Sequence, residues 1–255
     1  GVSGGDPRAG GPQPGQLPTV GIGTPTGLVP PLDFKFALLI GVDGDHSAND
    51  VDLLKDSLVK NAGYPEGNIV VLKSPTAAEI SAAASALADK MPDSGTAFIF
   101  YSGKGVSDPA SGKDYLSGSD SSESVGSMIA KLSLYQPFIS KGTSIFAFYQ
   151  VDRSMDTEGG YFGREVPELG RVAQMEGTAP GEKAYTLIAD GKPYGVYAHA
   201  MSDVLAQTRD NRITILDFVW NTFYQIRKGS VEGAGGGAQT PTLPVVVSMT
   251  TSAKF

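Results

Sequence analysis

The chain has 255 residues, 40% of them hydrophobic, and a formal net charge of -7; that length can bury a sizeable core as one large α/β domain or two small ones. An acidic balance with no basic block argues against nucleic-acid binding, which draws on clustered Lys and Arg, and no apolar run approaches the roughly 20 residues needed to cross a bilayer. Cysteine is absent, which excludes disulfides, thiolate metal sites and a cysteine nucleophile.

Residues 1–33 are so rich in Gly and Pro that no helix or strand ladder is expected there. They read as an arm, either a tether or a segment laid along its own domain or a neighbour. Residues 34–255 read as the folded domain. FKFALLIGV, from Phe34, is a short continuous apolar run of the kind found in strands covered on both faces. A helix follows with Val51, Leu54 and Leu58 on its apolar side, opened by the capping residue Asn49. After the turn GYPEGN comes a second strand, IVVLKS. Thr76 and Glu79 form a capping box for a helix with Ile80, Leu87 and Met91 inside. TAFIFYSG is a third strand, SIFAFYQV a fourth and AYTLIAD a fifth. Thr214 and Asp217 open a helix with Ile215, Phe218, Val219, Thr222 and Ile226 on one side, and Trp220 reads as partly buried packing. VEGAGGGAQTP is a linker and LPVVVSM a last strand. Strands alternating with helices imply a largely parallel sheet clad on both faces.

In such sheets, ligands and catalytic groups collect beyond the carboxyl ends of the strands. Three loops qualify: DGDHSAND, SGKGVSD and VDRSMDTEGG. Neither His46 nor His199 sits in a metal-ligand spacing. The two acidic loops lack the calcium-loop spacing with its closing Glu, and no metal or cofactor is expected. GSDSSES reads as a turn and helix start.

The pieces FALLIGV, AND, GYPEGNIVVL, PTAAEI, GTAFIFYSGKG, SIFAFYQVDRS, GVYAHAMSDVL, ITILDFV and QTPTLP fall in the order and spacing of the caspase and metacaspase superfamily. The resemblance covers roughly residues 36–250. It implies an α/β, three-layer α-β-α sandwich around a mainly parallel six-stranded sheet, the caspase-hemoglobinase fold of the C14 peptidases. In that family a histidine sits in a Tyr-Ser-Gly-His-Gly turn and a cysteine follows the fourth strand. Here Lys104 stands in the histidine's place and Asp152 in the cysteine's, while Gln150 and Arg153 agree with the caspase version. In metacaspases an acidic pocket for a substrate Arg or Lys is built partly by residues that Asp50 and Ser102 match, so a weakened acidic recess is implied here. Asp50 also reads simply as a first-turn helix residue favoured by the dipole. Some metacaspases require calcium, which leaves weak calcium binding open by resemblance, and Asp120 echoes an acidic residue of that family region.

A thiolate attacks a peptide carbonyl and an imidazole shuttles its proton; a carboxylate and an ammonium replace neither well. Lys104 and Asp152 are expected to form an ion pair that closes the former cleft, the alternative being two side chains pointing to water. The resulting expectation is a catalytically inactive caspase-like protein acting by binding, as scaffold, regulator or assembly subunit. A protein partner or self-association is expected, possibly through the arm. Two alternatives stand beside it: a hydrolase using Asp152, Lys104, Ser102 or Ser154 without cysteine, and a ligand-binding module built on the acidic recess.

Overall fold

The computed structural model describes residues 34–154, 161–208, 213–231 and 239–255. The arm at 1–33, the loop at 155–160 and most of the glycine linker, at 232–238, lie outside the described residues.

The described chain runs β1 (Lys35–Gly41), α1 (Gly44–Asn61), β2 (Ile69–Lys73), α2 (Ala77–Lys90), β3 (Thr96–Ser102), β4 (Gly105–Ser107), β5 (Asp114–Leu116), β6 (Ile129–Ala130), α3 (Lys131–Ile139), β7 (Ser144–Gln150), β8 (Arg171–Glu176), β9 (Thr186–Ala189), β10 (Lys192–Gly195), α4 (Val196–Ala206), α5 (Ile215–Val231) and β11 (Val245–Val247). The main sheet has six strands in the order β11-β8-β7-β3-β1-β2. Five run parallel and β11 closes one edge antiparallel to β8. This is the expected mainly parallel sheet between helical layers.

The three central strands explain the continuous apolar runs. β1 and β3 are buried at every position, so successive side chains enter two different cores. Ala37, Leu39, Phe98, Phe100, Phe146 and Phe148 face one cluster, which α1, α4 and α5 cover with Leu54, Leu58, Met201 and Phe218. Leu38, Ile40, Ile99, Tyr101, Ile145 and Tyr149 face the other, under Ile80 and Leu87 of α2 and Tyr135 and Phe138 of α3. The capping box at α2 is present as expected: Thr76 Oγ1 accepts from Glu79 N at 3.1 Å, and Glu79 accepts from Thr76 N at 2.8 Å. At α5 Thr214 Oγ1 accepts from Asp217 N at 3.1 Å.

Three local expectations are corrected. The fifth strand of the sheet is Arg171–Glu176, whose alternation of polar and apolar residues hides a position buried from Val172 onward; AYTLIAD instead forms a separate hairpin, β9 with β10. Helix α1 begins after Asp43 rather than Asn49. Asn49 lies inside it and donates to Pro193 O at 2.9 Å, tying α1 to that hairpin. Trp220 is 60% exposed. GSDSSES forms turns and a helix start as expected, Ser124 capping the short 3-10 helix Val125–Ser127, and Asp120 accepts from Ala77 N at 2.9 Å, adding a carboxylate to the start of α2.

Beyond β3 the chain folds β4, β5 and β6 into a small antiparallel sheet. This second sheet fixes the turn that sequence comparison singles out.

Candidate functional site at the carboxyl edge of the sheet

β1, β3 and β7 end side by side, with Gly41 beside Ser102 and Ser102 beside Gln150. The segments that follow them line a cleft of about 490 Å³ with Asp43, His46, Lys104, Asp152 and Ser154, joined by Tyr185 from just before β9, and with Ser102 and Gln150 from the strand ends.

The Ser102–Gly105 turn is held by its backbone. Lys104 O accepts three hydrogen bonds, from Tyr101 Oη at 2.8 Å, Ser117 N at 3.0 Å and Ser117 Oγ at 3.1 Å. A Cβ on Gly103 would stand 2.6 Å from Tyr101 Oη, and one on Gly105 2.7 Å from the Phe162 ring. The two glycines are thus required by close approach. The lysine side chain between them is 44% exposed and pairs with Glu123.

That pairing corrects the expected ion pair between Lys104 and Asp152. Both residues line the cleft, yet Asp152 is exposed and turned onto its own loop, where Oδ1 accepts from Ser154 N at 2.8 Å and from Ser154 Oγ at 2.5 Å. The loop conformation satisfies the carboxylate locally, and Glu123 of the serine-rich turn pairs with the ammonium.

Asp50, Ser102 and Gln150, by contrast, are brought together below the cleft and all are buried. Gln150 Nε2 donates to Asp50 Oδ2 at 2.7 Å and to Ser102 Oγ at 2.9 Å. Gln150 Oε1 accepts from Ala198 N, in the first turn of α4, at 3.0 Å. Gly195 N donates to Asp50 Oδ1 at 2.9 Å, and the Ser47 and Ser102 hydroxyls meet at 2.8 Å. Burial pushes the Asp50 carboxyl up to about 7, against the lowering effect of the Gln150 and Gly195 donors. The acidic recess therefore already holds an occupant, the Gln150 amide. Gly195 makes room for it: a Cβ there would fall 2.1 Å from Gln150 Nε2.

Arg153 turns away from the cleft. It is buried and donates from Nη1 to Thr178 O at 2.7 Å, while Arg153 N donates to Glu182 O at 3.0 Å. It ties the loop after β7 to the loop after β8.

Sequence reasoning did not single out Glu123, Asp43, Gly195 or Ala198. His46, set aside for want of metal-ligand spacing, lines the cleft, its Nε2 3.3 Å from Ser47 Oγ, and burial lowers its affinity for a proton. Asp43 is shifted the other way, raised by burial against the opposing charges of His46 and Lys104. Their signal was positional: Asp43 and His46 both lie in the loop and first helical turn after β1. Gly195 and Ala198 begin a helix whose amides reach a distant side chain, which no local pattern encodes. Among the described residues no group of three or more metal-ligating side chains is gathered, and no helix is long and apolar enough to cross a membrane.

The model of the family described as "Caspase domain" matches residues 35–253. Among solved structures, the fold is similar to caspase-1 from Spodoptera frugiperda, with TM-score 0.58 and 15% identity over 85% of this chain and 87% of that one. It is similar also to protein GSU0716 from Geobacter sulfurreducens, with TM-score 0.59 and 11% identity over 87% of this chain and 97% of that one. At these identities the likeness carries the fold alone. No curated protein matches by sequence. With a caspase-domain match spanning nearly all of the described chain and the six-stranded sheet to go with it, this chain belongs to the caspase-domain peptidase family.

Proposed function

We propose that this chain is a catalytically inactive caspase-like domain that acts by binding, as a scaffold, regulator or assembly subunit. The observation that carries the reading is the pair Lys104 and Asp152 lining the cleft at the two positions where the family resemblance expects histidine and cysteine. Neither side chain is poised for acyl transfer. Lys104 is held by Glu123 and Asp152 by Ser154, so the two groups at the dyad positions do not face each other as base and nucleophile. The recess behind them adds support. With Gln150 bonded to Asp50, Ser102 and Ala198 at once, the carboxylate that would receive a basic side chain is already engaged.

The alternative of a hydrolase without cysteine would need a nucleophilic hydroxyl beside a base. Ser102 is 1% exposed and its oxygen is shared between Ser47 and Gln150, and Lys104 points to Glu123; Ser154 Oγ does donate to Asp152, but on one exposed loop and to a carboxylate where this chemistry ordinarily uses an imidazole or a desolvated amine. Incubation of the protein with a mixed peptide library, with Lys104→Ala as control, tests the reading. The expected result is no cleavage by either protein; turnover by the native chain that is lost in the variant would overturn it.

A further inference from the structure

Glu176 ends β8 with its side chain buried, and among the described residues neither carboxylate oxygen has a hydrogen-bond partner. The charged and titratable groups that sense it are Lys131 and Tyr135 of α3, Asp114 of β5, Tyr149 of β7, Arg153 of the loop after β7 and Tyr197 of α4. Thr242, ahead of β11, bonds the Glu176 backbone and carries no charge. Most of the neighbouring donors are committed elsewhere. Lys131 Nζ donates to Asp114 Oδ2 and to Glu165 O, both at 2.6 Å. Tyr149 Oη donates to Tyr135 Oη at 2.6 Å, and Tyr135 Oη to Gln174 Oε1 at 3.1 Å. Gly163 lies so close that a Cβ would fall 2.6 Å from Glu176 Oε1, yet its N–H is turned to Asp114 Oδ2.

One donor is left over. Arg153 is buried, its Nη1 donates to Thr178 O at 2.7 Å, and its Nε has no acceptor among the described residues. A guanidinium presents five N–H groups in a flat fork that fits a carboxylate with two bonds. Arg153 and Glu176 sense each other's charge but share no hydrogen bond. Glu182, which also acts on the charge of Arg153, already accepts from Ala179 N, Thr240 N and Thr240 Oγ1. An orphan donor and an orphan carboxyl of opposite charge thus share one buried cluster.

We propose that Arg153 is a two-position latch worked by the proton on Glu176: it holds Thr178 O while the carboxyl is neutral and swings to Glu176 when the carboxyl ionises, resetting the part of the cleft that Asp152, Ser154 and Tyr185 line. A neutral carboxyl tolerates the observed setting; a buried carboxylate without a donor does not. Burial places the change near neutral pH, pushing the carboxyl up to about 7. The link to the cleft runs through the main chain. Asp152 and Ser154, on either side of Arg153, both line the cleft. Releasing Thr178 O undoes one tie to the loop that leads to Tyr185 and Thr186, also in the lining. Two further ties, Arg153 N to Glu182 O and Gly181 N to Arg153 O, each 3.0 Å, keep the loops joined. As a regulator of binding in the cleft the latch rests on the function proposed above; as a change of shape it does not, and it is read without a ligand.

The experiment is NMR of the isotope-labelled full chain, titrated from about pH 5.5 to about pH 8.5. It follows the Glu176 carboxyl carbon, the Arg153 Nε–H and the amides of Asp152, Ser154 and Tyr185 in the native protein, Glu176→Gln and Arg153→Met. In the native protein one common midpoint is expected for all of them, with solvent exchange of the Arg153 Nε–H slowed severalfold at the alkaline end. Glu176→Gln, a neutral isostere, is expected to keep the low-pH spectrum throughout. Arg153→Met should leave Glu176 titrating and abolish the amide shifts. Cleft amides that do not titrate in the native protein overturn the latch, as does an Arg153 Nε–H that is unchanged while Glu176 ionises. A titration that survives in Glu176→Gln overturns it too, and would belong to Asp43, His46 or Asp50. The native titration can overturn the latch whether or not either variant folds, and peptide cleavage, the test of inactivity, does not enter the readout.

Discussion

Gln150 and Asp50 lie a hundred residues apart in sequence and meet at 2.7 Å beneath the cleft floor. Their contact joins the end of β7 to helix α1, and through Ala198 and Gly195 it also engages the start of α4. Removing the amide leaves a buried carboxyl short of a donor, which costs about 1–3 kcal/mol. Gln150→Ala is expected to lower stability by that amount in urea unfolding. Gly195→Ala should imitate it, because the added methyl occupies the place of the amide. The double variant is then expected to be less destabilised than the sum of the two, since both remove one arrangement.

Glu176 is buried at the end of β8, and neither of its carboxylate oxygens has a hydrogen-bond partner. Burial pushes its carboxyl up to about 7; Lys131 and Arg153 oppose the shift and Asp114 adds to it. A carboxyl whose folded pKa is raised contributes fully below its unfolded value, near 4.5, and loses that contribution as pH rises through 7. The native protein should therefore lose stability from pH 5 to pH 8, on the order of 3 kcal/mol from this group. Asp50, also raised to about 7 by burial, acts in the same window. Urea midpoints across that range should fall less steeply in Glu176→Gln.

Lys131 and Asp114 form an ion pair at 2.6 Å with both side chains fully buried. Asp114 Oδ2 also accepts from Gly163 N and Glu165 N at 3.1 Å, and Lys131 Nζ donates to Glu165 O at 2.6 Å. The pair thus pins the segment before β8 against the small sheet. Lys131→Met strands a buried carboxylate and should cost about 3–5 kcal/mol. Adding Asp114→Asn should recover part of that loss, which a double-mutant cycle by thermal or urea unfolding would read.

At the cleft mouth the opposite outcome is expected. Lys104 and Glu123 are an exposed pair, and such pairs contribute about 0–1 kcal/mol. Lys104→Ala should shift the unfolding midpoint little, in contrast with the loss expected if Lys104 closed the cleft against Asp152. Circular dichroism melts of Lys104→Ala and Glu123→Ala decide this.

The architecture was legible because its strongest signals are dense and local. Uninterrupted apolar runs at β1, β3 and β7 mark doubly covered strands, and the Thr76–Glu79 box marks a helix start. Arg171–Glu176 escaped because its residues RVAQME break the apolar run: Gln174 and Glu176 are buried polar groups, and Gln174 is satisfied by Tyr135 and Glu165 O from distant segments. The recess was readable as residue types, Asp50 with Ser102, and Gln150 was recognised by resemblance. That Gln150 fills the recess depends on the bare Cα of Gly195 and the amide of Ala198, and such long-range complementarity leaves no spacing to read. Lys104's partner was misassigned for a related reason. Opposite charges at neighbouring strand ends suggest a pair, but Glu123 pairs with Lys104 and Ser154 donates to Asp152 instead.

The turn bearing Lys104 is secured through its carbonyl and its two flanking glycines, with nothing asked of the side chain between them. A rim built this way separates shape from chemistry. The scaffold can exchange the group displayed at that apex, acid, base or neutral, and keep the same contour for whatever docks against it.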